Sequence, residues 1–456
     1  MLQRHPIASS EGDQLQKSNA AACIVILAKT ILGAGMAALP RAYALLGLGL
    51  ATVFILVVAY LTYFSIQGMV RASLKTGKRT YPDVVRALLG RPGGIMLEIS
   101  IVLRCFGLLL VYEIVTGDIL AGGGKGYLGL LCDALGADGG WCANRPLILG
   151  IMTLAVFAPL VSLRNLTSTA WSSYLGLAAV VIWAGVTLAL VGAAAAHGAL
   201  RPMGWAPDWA LFGSSALEYA AQVFAVVPIL ATAYTCQMTV MFVAADLTPF
   251  SEERMALVNL WAVVLCTVLF LTVAIGSYAL FGDDVQADVL VNLTLGHVRA
   301  LVGSGAGVVL YAAVRVSFLL SIISIFPMQM WPLRQALCKL LFGRELHGWG
   351  FYAITYGTLA GVYAAALLAR SVWGPLQLIG ATAGALIAFI FPALLILRAE
   401  RLPQAPHADM EALMHEQAHP KAWLHTLREL GAWVLIALGL LQFVAGTAVT
   451  FLPSAA

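Results

Sequence analysis

The chain has 456 residues, 61% of them hydrophobic and 11% charged, with a net charge of +4 and a mean hydropathy of +0.90. Soluble domains carry about 25% charged residues, so this composition excludes a soluble globular protein. Most basic residues fall in the loops between apolar runs, where they carry topology and give no support to a nucleic-acid partner.

Residues 1–19 form a polar tail containing Arg4, Glu11, Asp13 and Lys17, without the apolar core of a signal peptide. From Ala20 to Phe451, apolar runs of about 20 residues recur, each long enough to cross a hydrocarbon core as a helix. They do not alternate apolar and polar residues, which excludes a transmembrane β-barrel. The expected architecture is an all-α polytopic membrane protein in the lipid bilayer. Its spans fall near 20–46, 48–72, 94–121, 146–163, 169–195, 213–243, 256–281, 299–329, 350–369, 373–398 and 430–453. Seventeen Lys and Arg lie on the face of the N-terminal tail and six on the other, while Lys29, Arg104 and Arg315 lie inside spans. The N-terminus is therefore expected to be cytoplasmic.

The outer loop after the third span holds Cys132 and Cys142, a candidate disulfide whose alternative is two free thiols. Asn292-Leu-Thr294 is an outer glycosylation sequon. Thr80-Tyr81-Pro82-Asp83, followed by residues through Gly90, predicts a capped short amphipathic helix on the cytoplasmic surface.

A helix break at mid-membrane survives only where it is buried or lines a polar cavity. Span one carries Thr30, Ile31, Gly33, Ala34 and Gly35 around such a break, where freed amides would form a carboxylate site. A Gly pair for close helix packing is the alternative, but Lys29, one turn earlier, is costly in lipid unless solvated or paired. In span six, Pro228 removes a helical hydrogen bond, and Thr232, Tyr234, Thr235, Cys236 and Gln237 follow it. A proline-kinked helix with polar packing is the competing reading there. Breaks in spans one and six are separated by five spans, an odd number, so the second set runs inverted to the first. This predicts a five-helix repeat over 20–195, an inverted one over 213–398, a cytoplasmic loop over 399–429 and an extra helix within 430–456.

Ile31-Leu32-Gly33-Ala34-Gly35-Met36-Ala37-Ala38-Leu39-Pro40-Arg41-Ala42 resembles the signature of the amino acid/auxin permease family. Further segments match in order: Pro159 to Leu166, Pro228 to Cys236, Gly276 to Gly282, Phe326-Pro327 and Phe391-Pro392-Ala393. The resemblance implies about eleven transmembrane helices, ten of them in a LeuT-like 5+5 inverted repeat. It also implies amino acid transport by alternating access, at a plasma membrane or a vacuolar or lysosomal membrane, without a cofactor. Sodium-coupled members carry an Asn ligand four residues before the first motif glycine. Here that residue is Lys29, as in the proton-coupled and vacuolar branches, although spans six and eight look more like the sodium-coupled branch.

Lys29 is therefore the expected substitute for sodium, and the coupling partner a proton, with sodium the alternative. Ser317, Ser321 and Ser324 are its candidate oxygen neighbours, with interhelical packing as the other reading. Glu113 and Glu218 are further coupling candidates. Arg315 is expected to snorkel and pair with a carboxylate, and Glu98 and Arg104 are six residues apart, too far for a one-turn pair. Small or medium neutral amino acids are the favoured substrates, with an auxin-like organic acid or a sensing role as alternatives. All eight histidines lie outside or at the edges of the spans, which argues against a membrane-embedded His-metal centre or haem; a metal site is not expected, nor is an enzyme.

Overall fold

The computed structural model describes residues 19–33, 35–122, 129–137, 139–162, 169–207, 216–369, 371–402 and 422–451. Ala34, the tail before Asn19 and positions 403–421 of the expected loop lie outside these. Helix α1 (Ala20–Ile31) starts where the Asn19 side chain accepts from the Ala22 amide, and it stops at Leu32, whose ψ of 78° leaves the helical range. Helix α2 (Gly35–Thr76) resumes at once and folds at Gly47, φ 73°. A Cβ there would lie 2.6 Å from the Ala206 carbonyl carbon, so glycine permits both the turn and the close approach. The amides freed by the turn bond across to another loop, Leu48 to the Gly204 carbonyl and Gly49 to that of Trp205, each at 2.9 Å.

Helix α3 (Tyr81–Leu120) opens with the expected surface segment, whose Thr80 cap accepts from the Asp83 amide, and it bends at Gly90, φ 75°. Then come α4 (Leu130–Leu135), α5 (Arg145–Met152), a π-helical turn at Thr153–Phe157, α6 (Ala158–Val161) and α7 (Thr169–Ala196). Helices α8 (Ala216–Tyr234) and α9 (Gln237–Asp246) lead to α10 (Glu252–Phe281). The outer helices α11 (Val289–Asn292) and α12 (Leu295–Val302) precede α13 (Ser304–Phe342) and α14 (Trp349–Leu368). In α15 (Trp373–Ile379), π-helical stretches at Gly380–Gly384 and Leu386–Ile390, and α16 (Phe391–Ala399), the tenth expected span is continuous. Helix α17 (Ala422–Phe451) closes the described chain.

Among the described residues nine helices are long and apolar enough to cross a membrane. The expected eleven is not the number this measure returns, for two physical reasons. The first two expected spans share α2 across the Gly47 fold, and the fourth, Arg145–Val161, is a shorter apolar helix. The core lies where α10 packs on α1, α2 and α7, and where α13 packs on α3 and α7. Helix α17 lies against α8, α16 and the π-helical stretches. Wide π turns leave carbonyls that need donors, and distant side chains supply them: Tyr81 donates to the Ile387 carbonyl at 2.9 Å and Gln442 to that of Gly380 at 2.7 Å.

The outer face departs from expectation at Arg315, which does not snorkel. It is buried and stacks 4.5 Å from the Tyr311 centroid. Its Nη2 donates to the carbonyls of Leu290 and Leu293 at 2.8 Å, closing the turn of α11. The expected carboxylate is there as an electrostatic neighbour, Asp118, and the backbone clamp comes in addition, because α11 ends in the interior with carbonyls that water cannot reach. Asp288 caps α11 by accepting from the Leu290 amide. Burial first, and then the Asp118 carboxylate, push its carboxyl up to about 8. Asp118 itself is paired with Arg145. Cys132 and Cys142 are joined in a disulfide, with Cα atoms 5.3 Å apart. Asn292 spends both amide atoms inside its loop, accepting from the Gln286 amide and donating to the Asp284 carbonyl.

Candidate transport site

The two interruptions lie against each other. A Cβ on Gly35 would sit 3.1 Å from Cα and Cβ of Ala233, and one on Gly33 would sit 3.0 Å from the Tyr112 hydroxyl. The segment between α1 and α2 is thus held between α8 and α3, with room for hydrogen atoms only. Ala34, also expected here, lies outside the described residues.

The second interruption falls at Thr235–Cys236, seven residues beyond Pro228, and α8 runs through the proline. Losing one hydrogen bond at a proline does not by itself end a buried helix. The chain opens where other groups take over its backbone: Arg104 Nη2 donates to the Thr235 carbonyl at 2.6 Å, and Gln237 Oε1 accepts from the Cys236 amide at 3.0 Å. Gln237 Nε2 in turn donates to Ser65 Oγ at 3.0 Å. Glu98 and Arg104 go separate ways, Glu98 pairing with Arg86 and, at 3.7 Å, with Lys339.

Several expected substrate contacts turn back on their own helices. Thr30 donates to the Ile26 carbonyl, Thr232 to that of Pro228 and Thr235 to that of Ala231. Tyr234 donates to Thr267 Oγ1 at 2.8 Å and meets Phe270 edge-on, which turns its ring toward α10. Ile31 and Cys236 are buried.

Lys29 is fully buried, and its Nζ donates to Ser321 twice, to the hydroxyl at 2.7 Å and the carbonyl at 2.9 Å. Its stem lies on Gly176, where a Cβ would come within 2.2 Å of Lys29 Cε. One ammonium therefore joins α1, α7 and α13, beside the point where α1 unwinds. Of the three serines, Ser324 shares the Ser321 carbonyl at 2.8 Å, whereas Ser317 bonds only within its helix, to Val314. Glu113 is fully buried and accepts from Thr153 at the π turn of the fourth span, with its Oε2 lacking a protein partner among the described residues. The side chain of Glu218 lies outside the described residues.

Sequence reasoning missed three parts of this site. Gly176 is one of several glycines on an apolar helix, Tyr112 carries no local signal, and the bond from Arg104 to a backbone carbonyl depends on a helix 131 residues away. Only Gln237, adjacent to the expected break, stood in a legible place.

Comparison with known proteins bears on the family and the fold. The family model described as transmembrane amino acid transporter protein matches residues 16–451. The amino acid transporter AVT6A of Arabidopsis thaliana is 33% identical over 404 residues, covering 87% of this chain and 85% of that protein. Solute carrier family 38 member 10 of Mus musculus is 23% identical, covering 85% of this chain and 34% of its own length. The crystal structure of a manganese transporter mutant from Eremococcus coleocola superposes with a TM-score of 0.57 at 14% identity, over 99% of this chain and 91% of that one, a likeness of fold alone. With that match running from ahead of α1 to the end of α17, the chain belongs to the transmembrane amino acid transporter family, the amino acid/auxin permeases, and has their LeuT-like helical membrane fold.

Proposed function

We propose that the chain carries small or medium neutral amino acids across a plasma, vacuolar or lysosomal membrane by alternating access, and that Lys29 takes the place of a coupling sodium ion. In this reading residues 20–195 and 213–398 are the two inverted units, and the substrate binds beside the interruptions at 32–33 and 235–236 when the packing there opens. The N-terminus faces the cytoplasm, as the Lys and Arg count favours. The observation that carries the reading is the buried Lys29 ammonium held by two Ser321 oxygens at the edge of the unwound segment. It supplies there the positive charge that a metal ion would bring. A sodium ion about 4 Å from it would meet roughly 4 kcal/mol of repulsion at an effective dielectric constant of about 20. Transport is therefore driven by protons or needs no cation.

The test is uptake of labelled amino acids into proteoliposomes under a pH gradient or a sodium gradient, for wild type and Lys29→Asn. The expected result is uptake that follows the pH gradient or neither gradient in wild type, and loss of any pH-gradient dependence in Lys29→Asn. Wild-type uptake that requires sodium and ignores pH would overturn the reading.

A further inference from the structure

A second polar site lies at the other end of α2, far along the chain from the interruptions. The last turns of α2, the end of α16 and the start of α17 border a small open cleft lined by Phe64, Gln67, Arg71, Lys75, Ile396, Glu400 and Arg428, among others. It sits at the helix ends on the face that holds most of the Lys and Arg, where lipid head groups meet water. The lining carries three cations and one carboxylate, so it is net positive.

Counting Glu252, which pairs with Arg71 at the rim, three cations meet two carboxylates and a net positive charge of one is left over. Glu400 is held loosely, 3.7 Å from Lys75 and 3.5 Å from Arg428. Lys75 also donates to the Ala399 carbonyl at the end of α16, at 3.0 Å. Arg71 meets Glu252 through Nε, so both its Nη groups lack a protein acceptor among the described residues. A guanidinium has five donors.

Gln67 supplies an independent observation. It is 6% exposed and lines the cleft, yet among the described residues neither its amide nitrogen nor its amide oxygen has a hydrogen-bond partner. A buried amide left unpaired is destabilising, so a ligand that bonds to it gains what the protein alone forgoes. The floor is rigid: Gly68 meets Ile396 so closely that a Cβ would lie 2.3 Å from its Cγ1. Phe64 and Ile396 add an apolar wall beside the cations.

We propose that this cleft binds a phosphate-bearing anion, with Arg71 and Arg428 gripping its oxygens and the Gln67 amide bonding to the same group. Arginine suits phosphate because its planar fork donates two bonds at once. Basic pockets between membrane helices at a cytoplasmic face are a recurrent place for anionic head groups. The apolar wall favours a phospholipid, whose glycerol and acyl carbons would lie on Phe64 and Ile396. Bound there, the anion bridges three helices, and α2 is the one that continues from the unwound segment of the transport site. The site is independent of the transported substrate and of its coupling ion.

The test is a thermal melt of the full-length protein in detergent, titrated separately with dioctanoyl phosphatidic acid, dioctanoyl phosphatidylcholine and inorganic phosphate. Saturable stabilisation by phosphatidic acid, with little from the choline lipid, is the expected result. An equal, saturable response to inorganic phosphate also supports the site and makes its source soluble. Arg71→Gln with Arg428→Gln should weaken the apparent affinity at least tenfold. Gln67→Met, which keeps every charge, should weaken it severalfold, and it decides the matter if the double variant folds poorly. Equal stabilisation by the zwitterionic lipid, no stabilisation by either phosphate source, or unchanged affinity in Gln67→Met would overturn the proposal.

Discussion

Gly176→Ala tests the position of the Lys29 ammonium without touching its charge. The added methyl would lie 2.2 Å from Cε, 2.6 Å from Cδ and 2.7 Å from Nζ of Lys29. Carbon atoms in ordinary contact are about 3.5–4.0 Å apart, so the overlap exceeds an ångström. The lysine stem must swing away, and its end cannot then keep both bonds to Ser321. Overpacking of this kind costs about 1–3 kcal/mol, which at about 1.4 kcal/mol per factor of ten lowers the population of the Ser321-bound state by about 5- to 150-fold. The assay is amino acid uptake in proteoliposomes across a range of imposed pH gradients. Gly185→Ala is the matched control, being on the same helix with nothing within 4 Å of the new Cβ. The expected result is impaired uptake with altered gradient dependence in Gly176→Ala and wild-type behaviour in Gly185→Ala. Wild-type uptake and gradient dependence in Gly176→Ala, at normal thermal stability, would refute the idea that the seat of Lys29 on α7 matters for transport.

Two further outcomes follow from packing and linkage. Asp288 is an acid whose carboxyl is raised to about 8 in the fold, so its contribution to stability is complete below its unfolded value near 4 and is lost as pH rises through about 8. The melting temperature of wild type should fall over that window, and Asp288→Asn, which can still accept from the Leu290 amide, should flatten the slope; parallel slopes would remove Asp288 as its source. In Gly380→Ala the new methyl would lie 2.1 Å from the Pro228 carbonyl oxygen, a backbone atom that cannot swing aside. Folded yield by size-exclusion chromatography should collapse in that variant and be retained in Gly374→Ala, where nothing lies within 4 Å; equal yields would contradict the close packing of the tenth span on α8.

How much was legible in the sequence differs from element to element. The break in span one could be read because glycines and a lysine in an apolar run are a local signal. The break in span six is expected within Pro228 to Gln237, and it opens at Thr235–Cys236 inside that window, where Arg104 and Gln237 receive the backbone. Arg315, expected to meet a carboxylate, has Asp118 as an electrostatic neighbour and in addition clamps two carbonyls of α11. What the sequence does not name in either place is the backbone partner of the arginine: a long side chain can bond to whichever backbone group the fold brings near it.

The sequence by itself determined the membrane class, the family and the lysine one turn before the span-one break, since length, hydropathy and motif order are local properties of the chain. Only the tertiary structure decided that Lys29 meets Ser321 and rests on Gly176, that the helix ends flanking the two interruptions touch, and that Gln67, without a hydrogen-bond partner among the described residues, lines a basic cleft. In an apolar medium nearly every helix surface is alike in composition, so hydrophobic pattern cannot choose partners. Close approach at glycines and the need to satisfy each buried polar group make that choice, and both are properties of helices already packed.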